Sequence, residues 1–166
     1  MLHDTPKTQS HGVRNNKRPV EPIGLCEGAP VLTATGFVPV ENLRPGDWLL
    51  TSAGCQQITR RRHVTLVGRA VYVLAGTQGH KSLNRDSLLP AGQPVFVQDW
   101  RARALRRRPC ALIPVASLID GEFLRDLGQV PLSLIQLSFA QPCVLHGDGL
   151  QLACATETLA QRCLDY

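Results

Sequence analysis

The stretch GAPVLTATGFVPVENLRPGDWLLT, residues 28–51, decides the fold class of this 166-residue chain. Its short apolar runs, at residues 31–33, 37–38 and 48–51, predict three strands that are separated by turns. Glycine and proline lie between the runs, and these residue types favour tight turns because of their backbone geometry. Three short strands in so small a part of the chain predict an all-β fold.

The composition of the whole chain supports one β-rich domain. Hydrophobic residues make up 43% of it, enough for a substantial core, and its 14 glycines and 12 prolines favour strands and turns over a helical bundle. Residues 1–22 are polar and predict a disordered or loosely attached tail, so we expect the folded domain to span residues 23–166. Near the end, Thr156 is the predicted N-cap of a short amphipathic C-terminal helix.

The chain has no apolar segment of membrane-spanning length, and residues 1–22 lack the apolar core of a signal peptide. These features predict a cytoplasmic protein that does not contact a membrane. The six cysteines form no Cys-x-x-Cys pair and have no histidine at zinc-finger spacing, so we expect neither a metal nor another cofactor. Four of them are predicted to be buried free thiols: Cys110, Cys143, Cys154 and Cys163.

Positive charge is concentrated in residues 44–108, where Lys and Arg outnumber Asp and Glu, whereas residues 111–166 are acidic. Clustered arginine is typical of phosphate-binding surfaces, so a nucleic acid is one candidate partner. The chain has few aromatic residues to stack on bases and no helix-turn-helix or zinc-finger pattern, which favours a solvated surface loop instead. A nucleic acid would bind through the larger cluster, Arg101, Arg103, Arg106, Arg107 and Arg108.

Residues 28–51 resemble the opening of the Hint domain, which hedgehog autoprocessing domains, inteins and a bacterial group of Hint proteins share. In that family the segment reads roughly Cys-Phe-x-x-Gly-Thr-x-Ile-x-Thr-x-x-Gly, followed by Val-Glu-x-Leu-x-x-Gly-Asp-x-Val-x-Thr. Residues 85–97, RDSLLPAGQPVFV, resemble the second block of the family, which carries a catalytic histidine. Residues 111–121 and 147–150 resemble two later blocks in the same order. The resemblance implies a twisted β horseshoe with two pseudo-symmetric halves.

The resemblance also implies a reaction of the protein on its own polypeptide. In a Hint domain, a cysteine or serine attacks the carbonyl group of the residue before it and forms a thioester or ester. A histidine protonates the departing backbone nitrogen, and the fold holds the peptide so that the attack is intramolecular. Neither step needs a cofactor or a metal.

The sequence departs from the family where this chemistry takes place. Counted back from Gly28, the position of the cysteine holds Gly24, and the position of the histidine holds Gln93. Two later polar positions hold Ala140 and Pro142. These departures predict a degenerate Hint domain that acts as a binding or structural module, with a protein as its partner.

An active, rearranged autoprotease is the alternative. In this interpretation Cys26 attacks the carbonyl group of Leu25, and His146 or His80 acts as the acid. His63 is the third histidine of the predicted folded part. The candidate catalytic residues are therefore Cys26, His146 and, at the histidine position of the family, Gln93.

Overall fold

The computed structural model describes residues 21–76 and 84–154. Within these ranges the chain forms eleven strands, one α-helix and two 3₁₀ turns. The elements follow one another as β1 (Leu25–Cys26), β2 (Pro30–Thr33), β3 (Gly36–Pro39), a 3₁₀ turn (Val40–Asn42), β4 (Trp48–Thr51), β5 (Gly54–Val73), β6 (Ser87–Pro90), β7 (Pro94–Val97), α1 (Trp100–Arg106), β8 (Ala111–Pro114), a 3₁₀ turn (Val115–Leu118), β9 (Leu124–Phe139), β10 (Val144–His146) and β11 (Gln151–Ala153).

The strands form one sheet in the order β1-β9-β5-β4-β10-β11-β7-β8, which curls into a half-barrel. β2 pairs with β3 and β4, and β6 pairs with β5, beside this path. The pairings between named strands are antiparallel. The prediction of an all-β fold is therefore confirmed, and the three strands predicted within residues 28–51 are β2, β3 and β4.

The pairing of β5 with β9 is the longest ladder of the sheet and runs from Ile58, opposite Phe139, to Val73, opposite Leu124. The sequence predicts two strands here, broken at Gly68, but the structure has one continuous strand. Gly68 allows a close approach: a Cβ atom there would lie 2.8 Å from a methyl carbon of Leu66 and 3.0 Å from Cγ of Pro22. A glycine inside a strand thus marks a close approach rather than a chain break.

The core lies under the curled sheet and includes residues from both ends of the chain. Val31, Val40 and Leu49 from the opening stretch are almost fully buried, in one cluster with Ile113 and Ile135. Burial of each large aliphatic side chain contributes about 1.5–3 kcal/mol of favourable transfer free energy. The apolar residues of the opening stretch therefore help to hold the whole domain together.

The sequence pattern does not predict the observed hairpin near the end of the sheet. The apolar runs at residues 134–139 and 143–145 predict one hairpin, but β10 pairs with β11 and, through Leu145 opposite Thr51, with β4. The chain leaves the β9 ladder at Phe139, and Pro142, which has no N–H group to donate, favours this break. The sequence does not predict β11, which completes the true hairpin.

The arginine-rich segment was expected to be a loop, but it contains α1. Asp99 caps this helix, because its carboxylate accepts a hydrogen bond of 2.9 Å from the backbone N–H of Arg101. Ala102 packs into the core and anchors the helix between β7 and β8. Cys110, which was expected to be buried, is exposed beyond the helix, whereas the prediction of buried thiols at Cys143 and Cys154 is confirmed.

Several expectations concern residues outside the described ranges. These include most of the predicted tail at residues 1–22, the C-terminal helix with its Thr156 cap, His80 and Cys163. Among the described helices, none has the length and apolar character needed to span a membrane.

Candidate functional site

The peptide bond between Ile23 and Gly24 is held at both of its polar atoms by glutamine side chains. The N–H group of Gly24 donates a hydrogen bond of 3.0 Å to Oε1 of Gln93. The carbonyl oxygen of Ile23 accepts a hydrogen bond of 2.7 Å from Nε2 of Gln136. We call Gln93 and Gln136 the glutamine clamp. It fixes the chain immediately before β1, which pairs with β9.

Gln93 is only 1% exposed, and all parts of its side-chain amide have partners. It lies in the turn between β6 and β7, where its backbone N–H donates to the carbonyl oxygen of Pro90. Its Nε2 atom donates to the carbonyl oxygens of Ala153, at 2.8 Å, and Pro94, at 3.2 Å. Because two carbonyl groups face Nε2, the amide can only point its oxygen towards Gly24. The orientation of Gln93 is therefore set by β11 and by its own turn.

Close packing surrounds the clamped peptide. Gly24 has φ +152°, and a Cβ atom there would lie 3.2 Å from Cβ of Leu134. A Cβ atom at Gly92 would lie 2.9 Å from the carbonyl oxygen of Glu21, and one at Gly68 would lie 3.0 Å from Cγ of Pro22. Three glycines thus leave room for residues 21–24 to lie against the domain.

Cys26, the candidate nucleophile, is buried on β1 and packs against Ala70, Leu132 and Leu134. This burial raises the pKa of the Cys26 thiol to about 11, because the charged thiolate loses solvation. The thiolate is the nucleophilic form of cysteine, so the environment of Cys26 disfavours attack near neutral pH.

His146, the candidate acid, lies on β10 and lines a surface depression of about 380 Å³ together with Phe37 and Asn84. Cys26 lines a different depression, of about 210 Å³, and the two share only a short segment around Asp148. Gln93 is among the lining residues of neither depression. The structure thus places Cys26 and His146 in two adjoining depressions and Gln93 in the buried clamp.

His63 contacts Glu27, the residue that follows Cys26 in the sequence. Its Nε2 atom lies 2.7 Å from the hydroxyl oxygen of Ser133 and 3.4 Å from a carboxylate oxygen of Glu27. Both contacts occur on an exposed part of the β5–β9 ladder. These contacts hold His63 against β9 and against the residue that follows β1.

Sequence reasoning missed Gln136, the second half of the clamp. The sequence gives no signal for it, because Gln136 lies between the buried residues Ile135 and Leu137 in β9. Successive side chains of a strand point to opposite faces, so this position is typical of an exposed polar residue. In the structure its hydrogen-bond partner is the carbonyl group of Ile23, which lies far away in the sequence.

Apart from Arg44 and Arg85, the arginines of the basic region lie on two separate elements, β5 and the segment of α1 with the turn after it. Arg101 is engaged by the carboxylate of Asp99 at 2.6 Å, and Arg69 by that of Asp126 at 2.7 Å. Within residues 21–76 and 84–154, no three His, Cys, Asp or Glu side chains lie together as a metal site would require. Nucleic-acid binding stays a prediction.

A family profile described as the Hint domain matches residues 23–161. The chain belongs to the Hint domain family. Among solved structures, the bacterial intein-like domain from Clostridium thermocellum is similar to this Hint domain, with a TM-score of 0.55 and 14% sequence identity over 80% of this chain and 99% of that chain. The gp41-1 intein is similar with a TM-score of 0.51 and 10% identity, over 78% of this chain and 96% of that chain. At such identities the likeness shows a common fold. A comparison with curated proteins found no match to the chain.

Proposed function

We propose that this Hint domain keeps the peptide bond between Ile23 and Gly24 intact and acts as a binding module for its own upstream segment. The observation that carries the proposal is the glutamine clamp on both polar atoms of that bond. The nitrogen that a family histidine would protonate is here a donor to an amide oxygen. The position therefore binds the peptide without offering it a proton.

The nucleophile is absent at this bond. Glycine at position 24 has no side chain that could attack the carbonyl group of Ile23, so neither a thioester nor an ester can form there. The φ angle of Gly24 and its contacts with β9 further suit a residue without a side chain. The backbone conformation is thus adapted to glycine.

The acid is absent as well. An amide group such as that of Gln93 does not give up or take up a proton near neutral pH. Loss of a positioned general acid typically lowers a rate by a factor of about 100 to 10,000. Since the nucleophile is missing too, no covalent route remains for cleavage between Ile23 and Gly24.

The alternative site at Cys26 is disfavoured by its burial. With a pKa of about 11, roughly one Cys26 thiol in ten thousand is ionised at neutral pH, compared with a few per cent for a free cysteine. Self-cleavage at the bond between Leu25 and Cys26 would also need an acid on the nitrogen of Cys26. Of the described histidines, His63 lies against Ser133. His146 lines the other depression.

The test is the intact mass of the freshly purified full-length chain before and after long incubation with dithiothreitol. We expect one unchanged mass, because no thioester forms for the thiol to intercept. Cys26→Ala and Cys55→Ala should behave like the unmodified chain, and Cys55, an exposed thiol, is the matched control. Release of a fragment that ends at Leu25, dependent on Cys26 but not on Cys55, would instead establish the active autoprotease.

A further inference from the structure

Cys143 and Cys154 flank the hairpin formed by β10 and β11. Val144 lies opposite Ala153 in the ladder, so the two cysteines form the next directly opposed pair. Each is only 4% exposed. The N–H group of Cys154 donates a hydrogen bond of 3.1 Å to the carbonyl oxygen of Cys143, which keeps the two strands paired at this position.

The two sulfur atoms are in contact, at a distance of 3.6 Å. The N–H group of Cys143 also points to Sγ of Cys154, at 3.4 Å. Directly opposed residues of antiparallel strands have Cα atoms about 4.5–5.5 Å apart, which falls inside the range that disulfides span. The thiols can therefore join through small side-chain rotations, with the backbone in place.

The hydrogen bonds at the two sulfur atoms differ. The side-chain hydrogen bond from Cys143 lowers the pKa of Cys154 below its ordinary value, despite its burial, and the N–H group of Cys143 acts in the same direction. The same contact raises the pKa of Cys143, which keeps its proton. The Cys154 thiol also donates a hydrogen bond of 3.0 Å to the carbonyl oxygen of Cys143, so it must lose this proton before it can attack. Once ionised, Cys154 has the thiol of Cys143 within reach, at 3.6 Å.

We propose that Cys143 and Cys154 form a disulfide site that is oxidised by a peroxide. The thiolate of Cys154 attacks one oxygen of hydrogen peroxide, which with one proton gives a sulfenic acid and water. The sulfur of Cys143 then attacks the sulfenic sulfur, the S–S bond forms, and the displaced hydroxide takes the proton of Cys143 as a second water. Two thiols and one peroxide thus become one disulfide and two waters. Because hydrogen peroxide is small, buried thiols are accessible to it more readily than to a bulky disulfide.

The site is coupled to the glutamine clamp through one residue. Ala153, which precedes Cys154, provides the carbonyl oxygen that binds Nε2 of Gln93 at 2.8 Å. A bond between Cys143 and Cys154 ties this end of β11 to the beginning of β10. Oxidation should therefore make local opening of β11 rarer. Such opening breaks the hydrogen bond between Ala153 and Gln93 and so releases the N–H group of Gly24 from Gln93.

The test maps the disulfide in the full-length chain. Reduced protein is treated with hydrogen peroxide, unreacted thiols are alkylated in denaturant, and the chain is cut before aspartate and after arginine. A cut before Asp148 separates Cys143 from Cys154, and a cut after Arg162 removes Cys163. We expect two fewer alkylated thiols than in the reduced protein. We also expect a linked pair of fragments, which begin at Asp126 and Asp148 and together weigh two hydrogens less than the separate fragments. Dithiothreitol should restore both thiols.

Variants and a second measurement complete the test. Cys143→Ser and Cys154→Ser should each abolish the linked pair, whereas Cys55→Ser, which removes an exposed thiol, should retain it. Oxidation should also slow hydrogen exchange at the amide of Gly24, a measurement that needs no variant. Thiols that stay fully alkylatable after peroxide, oxidation of Cys154 to higher acids without linkage, or linkage to other cysteines would each overturn the proposal. None of these outcomes depends on whether the chain cleaves itself.

Discussion

Gln93 and Gln136 reach one peptide bond from two different parts of the sheet, the turn between β6 and β7 and the strand β9. Their amide groups can donate and accept at once, so each matches one polar atom of the bond between Ile23 and Gly24. Gln93 uses its remaining donors on Ala153 and Pro94. At the scale of single residues, the site is a set of satisfied hydrogen bonds that are buried at Gln93 and partly buried at Gln136.

Gln93→Ala should destabilise the fold by about 2–4 kcal/mol, because buried groups of Gly24 and Ala153 lose their partner. Urea unfolding at neutral pH measures the free energy of unfolding. The control is Gln57→Ala, since the exposed side chain of Gln57 also donates to a backbone carbonyl, that of Gly46, and its loss should cost less than about 1 kcal/mol. Equal effects of the two substitutions would contradict a special role for Gln93.

Gly24→Ala should destabilise the fold by about 2–4 kcal/mol, since it combines a positive φ angle with a Cβ atom that presses on Leu134. Gly28→Ala is the matched control, because Gly28 has φ +85° but open space where its Cβ atom would lie. It should cost about 1 kcal/mol. The difference in thermal midpoint between the two variants measures the cost of crowding at Gly24. A larger fall in thermal midpoint for Gly28→Ala than for Gly24→Ala would contradict this crowding.

At the scale of elements, the turn that leads into β9 depends on one carboxylate. Oδ1 of Asp120 accepts hydrogen bonds from the N–H groups of Glu122, Phe123 and Leu124, at 2.8–2.9 Å. Burial by itself would raise the pKa of Asp120, but these backbone hydrogen bonds outweigh it and leave the pKa below its ordinary value of 3.8. The turn and the first residue of β9 are thus held by a charged group.

This arrangement predicts a pH dependence of stability. Because the pKa of Asp120 is lower in the folded state, its contribution is complete above about pH 4 and is lost as the pH falls through the folded-state pKa. Asp120→Asn should therefore be less stable than the unchanged chain at pH 6, and the difference in free energy of unfolding should shrink towards pH 2. Glu122→Gln, a neutralisation in the same turn, is the control. A difference that grows on acidification would contradict the assignment.

The elements also differ in how well they could be predicted. β2, β3 and β4 follow from short apolar runs between glycines and prolines, and the structure confirms them. The helix α1 was missed, although Asp99 as N-cap and the run of Arg, Ala and Leu after it are helix signals. The arginines of this segment are also typical of a solvated loop, and Ala102 is the one residue of α1 that is buried.

At the scale of the whole molecule, the curled sheet brings distant parts of the chain to one place. The clamp joins residues before β1 to the β6–β7 turn, to the middle of β9 and to the end of β11. The likeness to the intein-like domain from Clostridium thermocellum, at 14% identity, indicates that this Hint fold tolerates nearly complete change of sequence.

The amino-acid sequence by itself determined the turns and strands of residues 28–51 and the chemical inventory, which has no cysteine or histidine at positions 24 and 93. Only the tertiary structure decided that Gln93 and Gln136 meet at one peptide bond and that Cys143 touches Cys154. The physical reason is that alternation along a strand specifies which face is buried but not which strand lies beside it. Partners and register are set by packing of the whole core, which joins residues far apart in the chain.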